Sequence, residues 1–116
     1  MTIARNGARP RRIEIDFYKI NHRAVVALPA ILARLLPGGR IEGHEYLALN
    51  PRRADQRLGS FKVRVFGQKA GRGSDFGTGD KGGDSVSLIA YLENCSQPEA
   101  ARRLARMLGI DWEVRQ

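Results

Sequence analysis

Ser60-Phe61-Lys62-Val63-Arg64-Val65-Phe66 alternates apolar with cationic residues and is the segment on which the fold turns. A period of two places Phe61, Val63 and Val65 on one face and Lys62, Arg64 and Phe66 on the other, as in a strand with one side on a core. Gly67 to Gly73 then reads as a turn, and Ser74-Asp75-Phe76 as the returning strand of a hairpin. Upstream, Glu45 to Asn50 is expected as a neighbouring strand ended by Pro51, with residues 51–59 a polar loop.

Outward from this sheet the period changes to that of a helix. Leu28, Ile31, Leu32 and Leu35 recur at i, i+3, i+4 and i+7, which predicts a helix over 28–36 with Pro29 in its first turn and Pro37-Gly38-Gly39 as its stop. Asn21 to Ala27 adds a preceding helical turn that Pro29 separates or kinks, and the alternating Ile13 to Lys19 is expected as a short strand. On the other side Asp84 is an N-cap for a helix through about Asn94, whose apolar residues Val86, Leu88, Ile89, Ala90, Tyr91 and Leu92 go nearly all the way round. Such a helix belongs in the interior, with Leu88 and Leu92 in the core. Ser96-Gln97-Pro98-Glu99 is a capping box with Pro in the first turn, and its helix runs to Leu108 with Gly109 as the stop. Ala100, Ala101, Leu104, Ala105 and Leu108 face inward and Arg102, Arg103 and Arg106 form an outer stripe. The expectation is an α+β fold: a small antiparallel sheet packed with an N-terminal helix and two C-terminal helices.

The chain has 116 residues, 42% of them apolar, enough for one modest core. Twenty Lys and Arg stand against twelve Asp and Glu, a net charge of +8. The excess is clustered: Arg5, Arg9, Arg11 and Arg12 lie in an acid-free stretch over 1–12, and residues 50–81 carry eight cations and three acids. Residues 1–12 are read as a disordered basic arm, followed by one module over 13–116. Clustered cations favour an anionic partner, nucleic acid first. One cysteine and two histidines cannot build a disulfide framework or a four-ligand Cys/His zinc site. With neither an apolar run of membrane length nor a secretory h-region, the expected location is cytoplasmic, with no membrane partner.

Gly77-Thr78-Gly79-Asp80-Lys81-Gly82 fits G-x-G-x-x-G, but a dinucleotide fold needs a further parallel strand after the next helix, and here a second helix follows. No Gly-Lys-Ser/Thr closes the loop as a Walker motif would. What is left is a glycine turn, or a loop that sets Lys81 and a helix N-terminus around one phosphate. Cys95 reads as a packing thiol and His22 and His44 as surface histidines. Asp75, Asp80 and Asp84 are candidate oxygen ligands without EF-hand spacing. No nucleophile, base and carboxylate combine, so no catalytic residues, cofactor or metal are assigned.

The outward face of the 60–66 strand is the more informative feature. It reads either as the solvated face of a half-buried strand, or as a single-strand binding surface on which Lys62 and Arg64 track phosphates and Phe66 stacks a base. With the flanking segments, the candidate nucleic-acid-binding residues are Arg52, Arg57, Lys62, Arg64, Phe66, Lys69, Arg72 and Lys81.

From Tyr46 onward the chain resembles the N-terminal zinc-binding, template-recognition domain of bacterial DNA primases. The likeness runs through Asn50-Pro51-Arg52-Arg53, Gly59-Ser60-Phe61-Lys62-Val63, the stretch from Asp75 to Leu88, and Ser96 to Ile110. It covers about 65 residues, with a looser match over Leu28 to Gly38. The resemblance implies a zinc-ribbon-like sheet and places the metal-ligand positions at Asn50, Arg53, Asp75 and Thr78. None of these is Cys or His, so it implies a variant that has lost the metal, similar to the front end of primase–helicase proteins of mobile elements and prophages. An Arg53–Asp75 ion pair would then stand in for the zinc clip. By the same resemblance the function is non-catalytic: binding of single-stranded DNA in support of a primase or helicase during replication of a mobile element or phage, by a stand-alone module or a fragment. The alternative is a protein–protein docking module for a helicase or primase with little DNA contact. A small metal- or nucleotide-dependent enzyme is the third and weakest reading.

Overall fold

The computed structural model describes residues 14–52, 61–75, 80–82 and 84–114, of which 73–75 and 80–82 are described by their backbone. The arm over 1–12 lies outside them. The elements are α1 (Phe17–Leu35), β1 (Arg40–Glu42), β2 (Glu45–Ala48), β3 (Phe61–Arg64), β4 (Gly73–Asp75), β5 (Asp80–Gly82), α2 (Ser85–Glu93) and α3 (Gln97–Leu108).

The first helix is one continuous element that begins at Phe17, ahead of the turn expected from Asn21, and it takes in residues 17–19 of the short strand expected at 13–19. Asp16 caps α1, its carboxylate accepting from the Lys19 amide at 3.0 Å. Ile20 and Ala24 continue the buried row of Leu28, Ile31 and Leu32 backward, and this shared contact outweighs the local alternation. Among the described residues of that stretch, extended structure remains as a bridge between Ile15 and Glu113, with the Asp16 amide donating to the Trp112 carbonyl and the Val114 amide to the Glu14 carbonyl. Pro29 stands inside the helix rather than in its first turn. Its missing N–H leaves a carbonyl one turn back without its helical partner, a cost carried by the burial of Leu28 and Ile31 on either side.

The five strands form one antiparallel sheet in the order β1-β2-β3-β4-β5. The expected pairing of the 45–50 and 60–66 strands is present, with Tyr46 opposite Val63 and Ala48 opposite Phe61. The 74–76 return is present as β4, with Ser74 opposite Lys62. Two edge strands were not foreseen. β1 follows the turn after α1, where Gly39 fits because a Cβ there would lie 2.4 Å from the Tyr46 ring. Tyr46 in turn donates its hydroxyl to the Leu36 carbonyl at 2.7 Å. β5 occupies Asp80–Gly82, inside the stretch read as a glycine loop.

Two clusters make up the core. The sheet cluster joins Phe61, Val63, Val65, Tyr46 and Ala48 to Leu28 and Leu32 of α1, Leu36 just after it, and Leu88 of α2. The helical cluster joins Ile20, Ala24 and Ile31 of α1 to Val86 and Ile89 of α2 and to Ala100, Ala101, Leu104 and Ala105 of α3. Both therefore rest on α1 and α2, and adjacent residues of α2 serve different clusters. Leu88 is fully buried as expected, while Leu92 is half-buried at the margin of the sheet cluster. The caps of α2 and α3 are those read from the sequence: Asp84 accepts from the Ser87 amide, Ser96 accepts from the Glu99 amide, and Gly109 closes α3 in the left-handed region. The fold is α+β, a small antiparallel sheet packed with an N-terminal helix and two C-terminal helices.

Candidate nucleic-acid interface

Directly paired residues of an antiparallel sheet share a face, so the register sorts the candidate residues. Val63, Phe61 and Val65 turn inward, and Lys62 and Arg64 turn outward. The outward row at Lys62 runs through Leu47 to Arg40 on one side and by register through Ser74 to Lys81 on the other. The outward row at Arg64 runs through Glu45 to Glu42. The uniformly basic face expected from β3 alone is thus bounded by carboxylates at the β1–β2 corner, where Arg40 is already paired with Glu42 at 2.6 Å. Nor is the face fully open: Lys62 and Arg64 are half-buried and Leu47 between Lys62 and Arg40 is 9% exposed.

Beside Arg52, the exposed candidate groups lie in the hairpin beyond β3. Phe66 is 45% exposed, and Lys69 and Arg72 are exposed beside it. Backbone bonds hold this turn: the Arg64 amide donates to the Arg72 carbonyl at 2.9 Å and the Gly71 amide to the Arg64 carbonyl at 2.8 Å. Gly71 has φ +96°, and a Cβ there would lie 2.8 Å from Ser85 Oγ, so only glycine lets the turn close against the start of α2. His44 meets the Phe66 ring edge-on, with centroids 6.2 Å apart, and its carbonyl accepts from the Val65 amide at 2.8 Å. His44 is exposed, as the sequence reading had it, but its pairing with Phe66 depends on two hairpin turns lying side by side and has no local signature.

The opposite end of β3 is organised around Tyr91, a residue read from sequence only as part of an apolar helix. Its ring stacks on Phe61 at 6.1 Å between centroids and 16° between planes. The Arg52 guanidinium carbon lies 4.9 Å from the Tyr91 ring centre, and Arg52 Nη1 donates to the Tyr91 carbonyl at 3.2 Å. Asn50 is 1% exposed; its Nδ2 donates to the Tyr91 hydroxyl at 2.6 Å and its Oδ1 accepts from the Arg52 amide at 2.9 Å. Asn50 is thus a buried hydrogen-bonding hub that joins the end of the sheet to α2. Arg52 remains exposed while its guanidinium is oriented across an aromatic ring.

Of the other positions tied to the primase-like metal site, Asp75 lies in β4 opposite Phe61 and Asp80, and Arg53 and Thr78 fall outside the described residues. The expected Arg53–Asp75 pair therefore lies outside them too, as does Arg57. Lys81 is placed by register alone, next to Ser74. Among the described residues no three His, Cys, Asp or Glu side chains group as metal ligands.

The backbone amides that a phosphate would use at the start of α2, one of the two readings of the glycine stretch, are already taken by the protein. The Val86 amide donates to Asn21 Oδ1 at 2.9 Å and the Ser87 amide to Asp84 Oδ1 at 2.8 Å, so an incoming anion would displace a carboxylate. Lys81 sits in a strand there, not in a loop around the helix end. Cys95 is half-buried against the helical cluster, consistent with a packing thiol.

The outer stripe of α3 is likewise less available than its sequence implies. Glu99 lies at 3.0 Å from Arg103, 3.5 Å from Arg102 and 3.6 Å from Arg106, and Arg103 also reaches Glu93 at 2.9 Å. The hydrogen bond from Arg103 lowers the Glu99 pKa from the usual carboxylate value, with the Arg103 and Arg102 charges adding to it against partial burial. Hydrogen bonds to Glu93 and then Glu99 raise that of Arg103.

Neither a protein-family profile nor a curated protein matches the chain. No helix among the described residues is long and apolar enough to cross a membrane.

Proposed function

We propose that the chain is a non-catalytic nucleic-acid-binding module that takes single-stranded DNA along β3 and its following hairpin, accessory to primase or helicase action in replication of a mobile element or phage. The observation that carries the reading is the make-up of residues 61–72: four cations, no acid and an exposed Phe66. Cations there meet phosphates without sequence preference and the ring offers a stacking surface to a base. Arg52 on Tyr91 adds an exposed cation beyond the other end of β3, at the edge of the inward side where Tyr91 stacks on Phe61. The primase-like motifs fall in the same region, which supports the assignment to template binding.

The test is a titration with fluorescent single- and double-stranded oligonucleotides over a range of salt. Tighter binding of single strands with a steep salt slope is expected. A folded Lys62→Ala/Arg64→Ala double variant that binds single strands as tightly as the parent near physiological salt would remove the surface from β3. The same reading expects purified protein without stoichiometric zinc, checked by elemental analysis, because Asn50 is committed to Tyr91 and brings no thiolate or imidazole.

A further inference from the structure

The helical side of the molecule holds a feature that the nucleic-acid reading does not use. A cleft of about 400 Å³ opens between α1 and α3, lined by Arg34, Leu35, Glu93, Arg103, Arg106 and Met107. A second hollow of about 200 Å³ is lined by Ala27, Ala30, Ile31, Arg34, Met107 and Leu108. They share Arg34 and Met107, so they form one furrow along the two helices. On α1 its residues recur at i, i+3, i+4, i+7 and i+8 from Ala27, one continuous stripe of the helix.

The furrow has two chemical halves. Its floor is aliphatic, with Ile31 buried and Met107 and Leu108 half-buried. Its rim is cationic and incompletely neutralised. Arg103 is committed to Glu93 and Glu99. Arg106 reaches Glu99 only at 3.6 Å and is 56% exposed. Arg34 is exposed and forms no ion pair with any described residue. The nineteen residues of α1 contain no carboxylate, so nothing on that helix competes for an incoming acid.

From this complementarity we propose that the α1–α3 furrow docks an acidic amphipathic helix of a partner protein. Apolar residues of that helix, spaced i, i+3, i+4 and i+7, rest on Ile31, Met107 and Leu108, and its flanking carboxylates meet Arg34 and Arg106. This is helix-in-groove recognition with charge setting orientation. A nucleic-acid strand suits the furrow poorly, because among the described residues its lining is aliphatic and charged, and the nearby Trp112 ring lies under the Arg106 guanidinium, 5.9 Å away. The inference does not depend on the DNA surface: α3 contributes only to the helical cluster, whereas β3 and its hairpin belong to the sheet cluster.

The full chain, isotopically labelled, is titrated with a synthetic helical peptide carrying Leu at i, i+3, i+4 and i+7 and Glu elsewhere. Saturable binding is expected, with amide shifts concentrated on residues 27–35 and 103–108 and no change in Phe66→Ala. Arg34→Glu, whose exposed site leaves the melting temperature near the parent's, should bind at least tenfold more weakly. A peptide with Lys replacing Glu should regain affinity for Arg34→Glu. The proposal fails if the parent shows no saturable binding or a scrambled peptide binds equally well. It also fails if the shifts fall on the sheet, or if a single-stranded oligonucleotide displaces the peptide from the furrow.

Discussion

Arg102, Arg103 and Arg106 on α3 and Arg52, Arg64 and Arg72 around the sheet are equal in number and differ in how closely carboxylates hold them. The α3 set is folded around Glu99 and Glu93. On the sheet side Arg52 lies over an aromatic ring, Arg72 is exposed, and Arg64 has Glu45 as its cross-strand neighbour. Availability to a phosphate therefore depends on where the carboxylates fall in space and not on how many arginines a segment contains. Glu99 was identified from the sequence as a capping residue, yet its larger electrostatic role is to hold three guanidinium groups.

The sharpest way to break this contrast is to test whether the two halves share one fold. Leu88→Ala opens the sheet cluster and should cost about 2–5 kcal/mol in denaturant unfolding, with a single transition, because α2 serves both clusters. Two separated transitions would mean that the halves unfold independently. Next in size, Phe66→Ala should weaken single-strand binding by about 1–3 kcal/mol while leaving the salt slope near the parent's. Changing Arg64 to Ala should instead lower that slope by about one. Gly71→Ala forces a side chain into a left-handed backbone against Ser85 and should cost more than about 1 kcal/mol of stability. That loss should appear in thermal melts of the protein without DNA.

On the helical side the expected effects are smaller and depend on pH. The folded-state pKa of Glu99 is depressed below its ordinary value of 4.5, so its stabilising contribution is complete above that value. It declines as pH falls through the lower folded value. The gap in melting temperature between the parent and Glu99→Gln should therefore be widest near neutrality and close on acidification below about 4.5. A gap that holds constant into acid would mean the carboxylate charge plays no part. Smallest of all, Arg102→Ala should change stability by less than about 0.5 kcal/mol and leave DNA affinity near the parent's.

The legibility of the chain follows the range of the interactions involved. The two C-terminal helices were readable to their caps, because Asp84, Ser96 and Gly109 act within one turn of themselves. β3 and its return were readable because alternation and turn residues are local signals. The first turn of α1 was not, since the alternation over Ile13 to Lys19 is a local strand signal, and the contacts of Ile20 and Ala24 with α2 and α3 that override it lie far along the chain. β1 and β5 are three-residue strands defined by their neighbours, too short to carry a pattern. The candidate site divides in the same way. Lys62 and Arg64 were legible as outward positions of one strand, while Phe66, expected on the same strand, is exposed in the turn beyond its end; the burial of Leu47 between Arg40 and Lys62, the Glu45 partner of Arg64 and the Tyr91 platform under Arg52 arise from pairing at a distance.

The bond from Asn50 to Tyr91 spans 41 positions of sequence and fastens the strand end to the helix without a covalent or metallic link. A clasp made of a carboxamide and a phenol responds to heat and denaturant, and is indifferent to thiol reductants and chelators. It needs no ion delivered and no redox partner to close, so each unfolding event that reaches it is repaired by the chain alone. For a module that carries a single thiol, this closure is the same in an oxidising and a reducing compartment, and in metal-poor and metal-rich growth.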